Sequence, residues 1–246
     1  MRKVTKIDDL VPIKNVIISV NDKKNLDILI PGLIKYCPGV VIYTTDFNYP
    51  VIHQLMPREK TWNNLFSFGQ LARNLEVGGT AMETLHSKVF LGLITKTYCF
   101  KHQEMIKNAQ AISIDLAVIN LRPIISETGP NDFESVSTRI DVAGQVALSA
   151  ARSNPRQVMT LSSPDDYGAF LEEIKRFNGR TSFSSRLEMA KKASSYLKGY
   201  SSEVYYFLDG IQAEEAAACY EMQNTVEDFL AAEKAKEAEE GKKKKK

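Results

Sequence analysis

Cysteine is scarce, with three in 246 residues, at positions 37, 99 and 219 and with no C-x-x-C pair. A small, odd and widely spaced set excludes a disulfide framework, argues against structural zinc and fits a reducing compartment. Long apolar runs are missing too. No stretch approaches the ~20 residues that span a bilayer, and the opening MRKVTKIDDLVPIK lacks the apolar core of a secretory signal. The expectation is a cytoplasmic protein without membrane contact. Nor is there a dominant charge: Lys and Arg total 32 against 30 Asp and Glu, and much of the net +2 lies in the final lysine run. That balance gives no reason to expect nucleic acid as a partner. At 43% hydrophobic and 25% charged, the composition is that of a folded globular protein.

What is present is a βαβ rhythm. Asn15 to Val20 is a compact β-branched run, as in a buried parallel strand. Asn21 or Asp22 is placed to cap a following helix whose Leu26, Leu29, Ile30, Leu33 and Ile34 recur at helical spacing, and Pro31 predicts a kink or interruption there. Cys37-Pro-Gly39 reads as a turn and Val40 to Tyr43 as a second strand. The pattern is less regular from 47 to 100. It resumes with a helix near 101–110, the strand Ile114 to Asn120, a loop leading into an Ala-rich helix over 138–153, and the strand Gln157 to Leu161. Ser163-Pro164-Asp165 opens another helix with a cap and a first-turn proline, and Ser182 to Leu208 is helical, with Leu187, Ala190, Tyr196 and Leu197 on a packed face.

The fold class predicted is α/β with a mostly parallel central sheet and a helical C-terminal region. Residues 1–14 read as a polar lead-in, 15–210 as the α/β domain, and 211–246 as a helical and then solvated charged tail. In such sheets ligands sit beyond the carboxyl ends of the strands, which directs attention to the loops after Val20, Tyr43 and Asn120 and around Asp141.

Five segments in those regions resemble, in order, the inosine monophosphate cyclohydrolase domain of a bifunctional purine-biosynthesis enzyme. Ile18-Ser-Val-Asn-Asp-Lys23 resembles the family's ISVSDK. Thr84-Leu-His86, with Lys88 and Gly92, resembles KTLHPKIHGGIL. Ile114 to Pro123 resembles IDLVVVNLYP, Ile140 to Asn154 resembles IDIGGPTMLRAAAKN, and Ser163 to Tyr167 resembles DPADY. The likeness runs from about 15 to 208.

The resemblance implies a methylglyoxal-synthase-like fold, usually dimeric. It implies ring closure of formamidoimidazole carboxamide ribonucleotide to inosine monophosphate with no metal or other cofactor. The chain ends where the linker to the formyltransferase would begin, so that second activity is expected to be absent. Carried over residue by residue, Asp141 takes a catalytic role, and Ser19, Lys23, Thr44, Thr84, Asn120 and Arg122 fall at ligand-side positions. The partner implied is a purine ribonucleotide or related anionic small molecule.

Several of those positions depart from the family pattern. The phosphate-cradling Ser/Thr-Gly-Gly-Thr turn reads Thr44-Thr45-Asp46-Phe47 here, so both glycines are lost and a carboxylate stands where a phosphate would approach. The family's arginine and lysine before Thr84-Leu-His86 become Ala81 and Glu83, and Gly78-Gly79 reads as a simple turn. The catalytic tyrosine becomes Arg122, which stays charged and cannot exchange a phenol's proton. The catalytic lysine becomes Ser153, with Arg152 one place and about 100° away on a helix.

The residues that remain have plainer readings as well. Asp141 can cap a helix, Asn120 can satisfy a turn, Lys23 can be a solvated charge and His86 can bond backbone, while His53 and His102 are isolated. Trp62, Phe66 and Phe68 read as core or interface filler. The expectation is a diverged cyclohydrolase relative with severely reduced turnover. The alternatives are a non-catalytic nucleotide- or anion-binding homologue, or a partner subunit of a separate formyltransferase.

Overall fold

The structure, a computed structural model, describes residues 5–72, 86–96 and 98–243. Its elements follow in chain order as β1 (Val11–Pro12), β2 (Asn15–Val20), α1 (Leu26–Tyr36), β3 (Val41–Thr44), α2 (Tyr49–Leu55), α3 (Arg58–Asn64), β4 (Leu65–Ser67) and α4 (Phe68–Ala72). Then come α5 (Ser87–Ile94), α6 (Phe100–Asn108), β5 (Leu116–Asn120), α7 (Phe133–Arg139), α8 (Val142–Arg152), β6 (Met159–Leu161), α9 (Tyr167–Arg176) and β7 (Arg180–Thr181). The helices α10 (Phe183–Gly210), α11 (Ala213–Ala217) and α12 (Val226–Lys243) complete the described chain.

Strands β4-β3-β2-β5-β6 form a five-stranded sheet whose pairings are all parallel, and β1 pairs antiparallel with β7. The central strands are apolar on both faces because helices cover both. Val16, Ile18 and Val20 join Leu29, Ile30, Leu33, Phe170 and Ile174 in one core layer beneath α1 and α9. Ile17 and Ala117, which alternate with that set, are fully buried as well, and α8 packs on β5 and β6. Burying side chains of this size contributes about 1.5–3 kcal/mol each.

Contacts divide the chain into two compact units. One comprises residues 1–124 and 139–204, which hold the sheet, and the other comprises 125–138 and 205–246. Within the second, Phe133 stacks on Phe207 and meets Tyr220 edge-on at centroid distances of 6.4 and 6.3 Å.

Several local expectations change. Helix α1 starts at Leu26, with Asn25 at its N-cap in the left-handed region (φ 63°) and making no side-chain cap. Neither Asn21 nor Asp22 caps it, since the helix begins only at Leu26 and Asp22 Oδ1 accepts the Lys24 N–H at 2.9 Å, while the N–H groups of Asn21 and Asp22 go to Asn120 Oδ1. Pro31 sits inside an α1 that continues past it, and the Asp27 carbonyl it leaves without an N–H belongs to a solvent-exposed residue. Of the three aromatics read as filler, Phe68 is buried and Phe66 stacks on Tyr43, but Trp62 is 87% exposed. Helix α12 extends to Lys243 and is exposed over the residues whose side chains are described.

Candidate functional site

The carboxyl edge of the sheet is held together by two asparagine side chains that extend the backbone ladder. Asn48, 1% exposed, accepts the Val20 N–H at Oδ1 (3.0 Å) and donates from Nδ2 to the Val20 carbonyl (2.7 Å). Thr45 Oγ1 donates to the same Oδ1 at 2.9 Å, and the N–H groups of Asn48 and Tyr49 both reach the Thr45 carbonyl at 3.0 Å. The loop after β3 is thus a turn in which Thr45 and Asn48 are bonded to each other and, through Asn48, to Val20. Asn120 does the equivalent between β5 and the loop after β2. Its Oδ1 accepts Asn21 and Asp22 N–H at 2.7 and 2.8 Å, and its Nδ2 donates to the Asp22 carbonyl at 2.9 Å.

The residues carried over from the family are placed as follows. Ser19 is half-buried within β2. Thr44 is fully buried and its hydroxyl donates to the Ile18 carbonyl at 2.8 Å, so it serves the sheet. Lys23 lays its ammonium 3.9 Å from the centre of the Phe47 ring, which is 65% exposed, and among the described residues it has no carboxylate within 4.0 Å. Thr84 lies outside the described residues, as do Gly78, Gly79, Ala81 and Glu83. His86 caps α5 by accepting the Lys88 N–H at Nδ1 (3.2 Å); burial, then the Lys88 charge, holds its pKa below the usual value. His102 accepts the Lys96 N–H at 3.2 Å.

Asp141 is the N-cap of α8, with Oδ1 accepting the Gly144 N–H at 2.7 Å and Oδ2 lying 3.5 Å from the Arg122 backbone nitrogen. A Cβ at 144 would meet Asp141 Oδ2 at 2.6 Å and Leu121 Cδ2 at 2.7 Å, so any larger residue there displaces the capping carboxylate or Leu121. The Arg122 side chain is exposed. Arg152 donates to Ser194 Oγ at 2.9 Å across to α10, and Ser153 Oγ returns to the Ala150 carbonyl at 2.7 Å. The fold therefore gathers Asn120, Arg122 and Asp141 at the end of β5, while Lys23 and Thr44 belong to the β2–β3 side. Among the described residues no three His, Cys, Asp or Glu side chains form a group able to hold a metal ion.

A groove of about 560 Å³ opens beside the end of β5, lined by Leu121, Pro123, Lys192, Ser195, Tyr196, Gly199, Tyr200 and Glu203. Its two tyrosines hold the loops that carry Arg122 and Asp141. Tyr196 accepts the Leu121 N–H at 2.8 Å, and Tyr200 accepts the Asp141 N–H at 2.9 Å. Burial pushes both phenols above their ordinary pKa, the backbone N–H that each accepts pulls the other way, and neighbouring carboxylates add to the rise, so they remain neutral hydrogen-bond donors. Sequence reasoning read Tyr196 only as packing and missed Tyr200. The available signal was their spacing, since i and i+4 share one helix face.

A comparison with protein-family models gives no match. Curated proteins do match. The chain is 27% identical over 207 residues to the bifunctional purine biosynthesis protein PurH of Rhodopirellula baltica, covering 83% of this chain and 38% of that protein. It is 29% identical over 197 residues to the PurH of Rhizobium leguminosarum bv. trifolii (80% and 35%) and 26% identical over 197 residues to that of Leptospira biflexa (79% and 37%). A crystal structure of ForH matches the fold with a TM-score of 0.65 at 23% identity, covering 80% of this chain and 99% of that one. The chain spans little more than a third of the curated relatives it matches. Over about four fifths of its length it is homologous to bifunctional purine biosynthesis proteins, in keeping with the cyclohydrolase-like domain whose motifs the sequence resembles.

Proposed function

We propose that this protein is a diverged cytoplasmic relative of inosine monophosphate cyclohydrolase that no longer carries out ordinary ring closure of formamidoimidazole carboxamide ribonucleotide. The observation that carries this reading is the turn after β3. A ribonucleotide phosphate needs free backbone N–H groups and an approach clear of side chains. Here Asp46 and Phe47 fill the turn, the Val20 N–H is already bonded to Asn48, and the Lys23 ammonium rests on the Phe47 ring.

The chemistry of the end of β5 supports the same reading. Ring closure needs a group to move a proton and a cation or donor to stabilise the oxyanion. Asp141 is occupied as a helix cap, and an exposed arginine stands where a phenol would act. Groups that act as one catalytic unit fail together, so turnover is expected to be about 10³-fold or more below that of an intact family member. The assay is direct: purified protein is mixed with the formylated ribonucleotide and inosine monophosphate formation is followed by absorbance. Turnover comparable to that of an intact cyclohydrolase overturns the reading.

A second reading, ligand binding without turnover, is favoured by the groove. It has the volume of a small-molecule site and keeps neutral donors at its wall.

A further inference from the structure

We propose that the groove between the end of β5 and α10 binds an uncharged carboxamide-bearing nucleoside and rejects its 5′-phosphate. The nucleoside class rests on the purine-family reading above; the preference for a neutral ligand rests on the groove itself.

The first observation is an unmet donor. Tyr200 is 6% exposed, and its oxygen accepts the Asp141 N–H, yet its own proton has no acceptor among the described residues. The same holds for Tyr196, which accepts from Leu121. Both residues line the groove, Tyr196 only partly buried, so each hydroxyl proton is open to an acceptor there, and a hydroxyl that already accepts a bond is a stronger donor. The two phenols stand one helical turn apart on the groove wall, about 6 Å along the helix axis. They suit a ligand with carbonyl or hydroxyl acceptors.

The second observation is the sign of the charge. Glu203 lines the groove, and the negative charges of Asp141, Glu203 and Asp22 all bear on the Tyr196 phenol. The one cation in the lining, Lys192, is hydrogen-bonded to Asp166. Within the lining a phosphate meets the Glu203 carboxylate with no uncommitted ammonium to offset it, the exposed Arg122 being outside that lining, and like charges brought together oppose binding. A carboxamide fits instead, with its carbonyl oxygen accepting from a phenol and its N–H donating to the Glu203 carboxylate. Leu121, Pro123 and Gly199 supply the apolar surface against which a flat ring can lie.

The test is calorimetric titration of the full chain with aminoimidazole carboxamide riboside and, separately, with its 5′-phosphate. The riboside is expected to bind at least about tenfold more tightly than the phosphate at low ionic strength. Tyr196→Phe removes a donor and is expected to weaken riboside binding. Because that change also frees the Leu121 N–H, a second variant, Glu203→Gln, is made at an exposed side chain that the fold does not use. It is expected to weaken riboside binding, because the amide loses its carboxylate acceptor, to strengthen phosphate binding, and so to narrow the gap between the two. No heat with the riboside, equal or tighter binding of the phosphate, or riboside binding unchanged by Tyr196→Phe together with an unchanged gap in Glu203→Gln each overturns the proposal. Turnover of the formylated ribonucleotide would overturn the earlier reading and leave this binding measurement to be judged on its own result.

Discussion

Arg186 donates from Nε to the Pro155 carbonyl at 2.9 Å, which ties the first turn of α10 to the loop between α8 and β6. The guanidinium has no solvent exposure, and it is surrounded by carbonyls. Nη1 reaches Asp9 O at 2.9 Å and also Thr181 O, and Nη2 reaches Asp8 O at 2.9 Å and Arg156 O at 3.3 Å. Burial lowers its pKa, and the charges of Asp9, Glu173 and Asp8 oppose that shift. Three stretches distant in sequence therefore converge on one cation, whose planar five-donor fork no other side chain reproduces.

Arg186→Met, of similar length, is expected to destabilise the protein by about 3–5 kcal/mol, because it leaves several buried carbonyls without donors. Arg186→Lys, with three donors in place of five, is expected to recover only part of that loss. Urea unfolding checks both. A midpoint for Arg186→Met within about 0.5 kcal/mol of wild type, the usual range of surface substitutions, would refute this account of the knot.

Asp115 is the corresponding buried anion, at the opposite edge of the sheet from the candidate site. Its Oδ2 accepts the Lys14 and Asn15 N–H groups at 3.0 and 2.9 Å, and its Oδ1 accepts from Gln157 Nε2 at 2.6 Å. Burial pushes its pKa up, and the hydrogen bonds from Asn15, Lys14 and Gln157 pull the other way. A raised folded-state pKa means that the fold favours the protonated form. The associated stabilisation is complete below the unfolded value of about 3.9 and is lost as pH rises through the folded value. Asp115→Asn has no such proton. The stability gap between wild type and Asp115→Asn is therefore expected to be widest near pH 3 and to narrow as the pH is raised. Urea midpoints measured across that range decide the sign, and a gap that widens with pH refutes the assignment.

Four of the sheet's five strands were legible because their signal is local, whereas β4 lies in the stretch that read as irregular. Val16-Ile-Ile18, Val40 to Tyr43 and Leu116 to Ile119 are apolar on both faces, which only a covered parallel strand requires. The start of α1 was not legible, because the segment after β2 is pinned by Asn120, a residue almost a hundred positions away, and the helix begins only at Leu26. Arg186 escaped for the same reason, since nothing near an arginine in sequence says that it will be enclosed by carbonyls from elsewhere in the chain. The candidate site divides the same way. Motif position put Lys23, Asn120 and Asp141 at the carboxyl edge, yet could not say that the Asn120 side-chain amide would be spent on the loop after β2. Nor could it give the tyrosines of α10 a role, since their partners lie on other elements.

The last prediction concerns Lys23 and Phe47. A cation over an exposed aromatic ring contributes only about 0.5–1 kcal/mol, so the pairing is weak enough to be exchanged for a better partner. What prevents exchange is the turn itself, because the Phe47 ring occupies the approach and the Asp46 charge opposes an incoming anion. Asp46→Gly with Phe47→Gly removes both obstacles and returns to the turn the residue type that lets backbone N–H groups come close to an anion. The double variant is expected to acquire measurable heat on titration with inorganic phosphate, where the wild-type chain gives none, and adding Lys23→Ala is expected to abolish it. The thermal midpoint of each variant is read alongside, so that a lost fold is not taken for a lost site. If the folded double-glycine chain takes up phosphate no better than wild type, the side chains of this turn are not what closes it to anions.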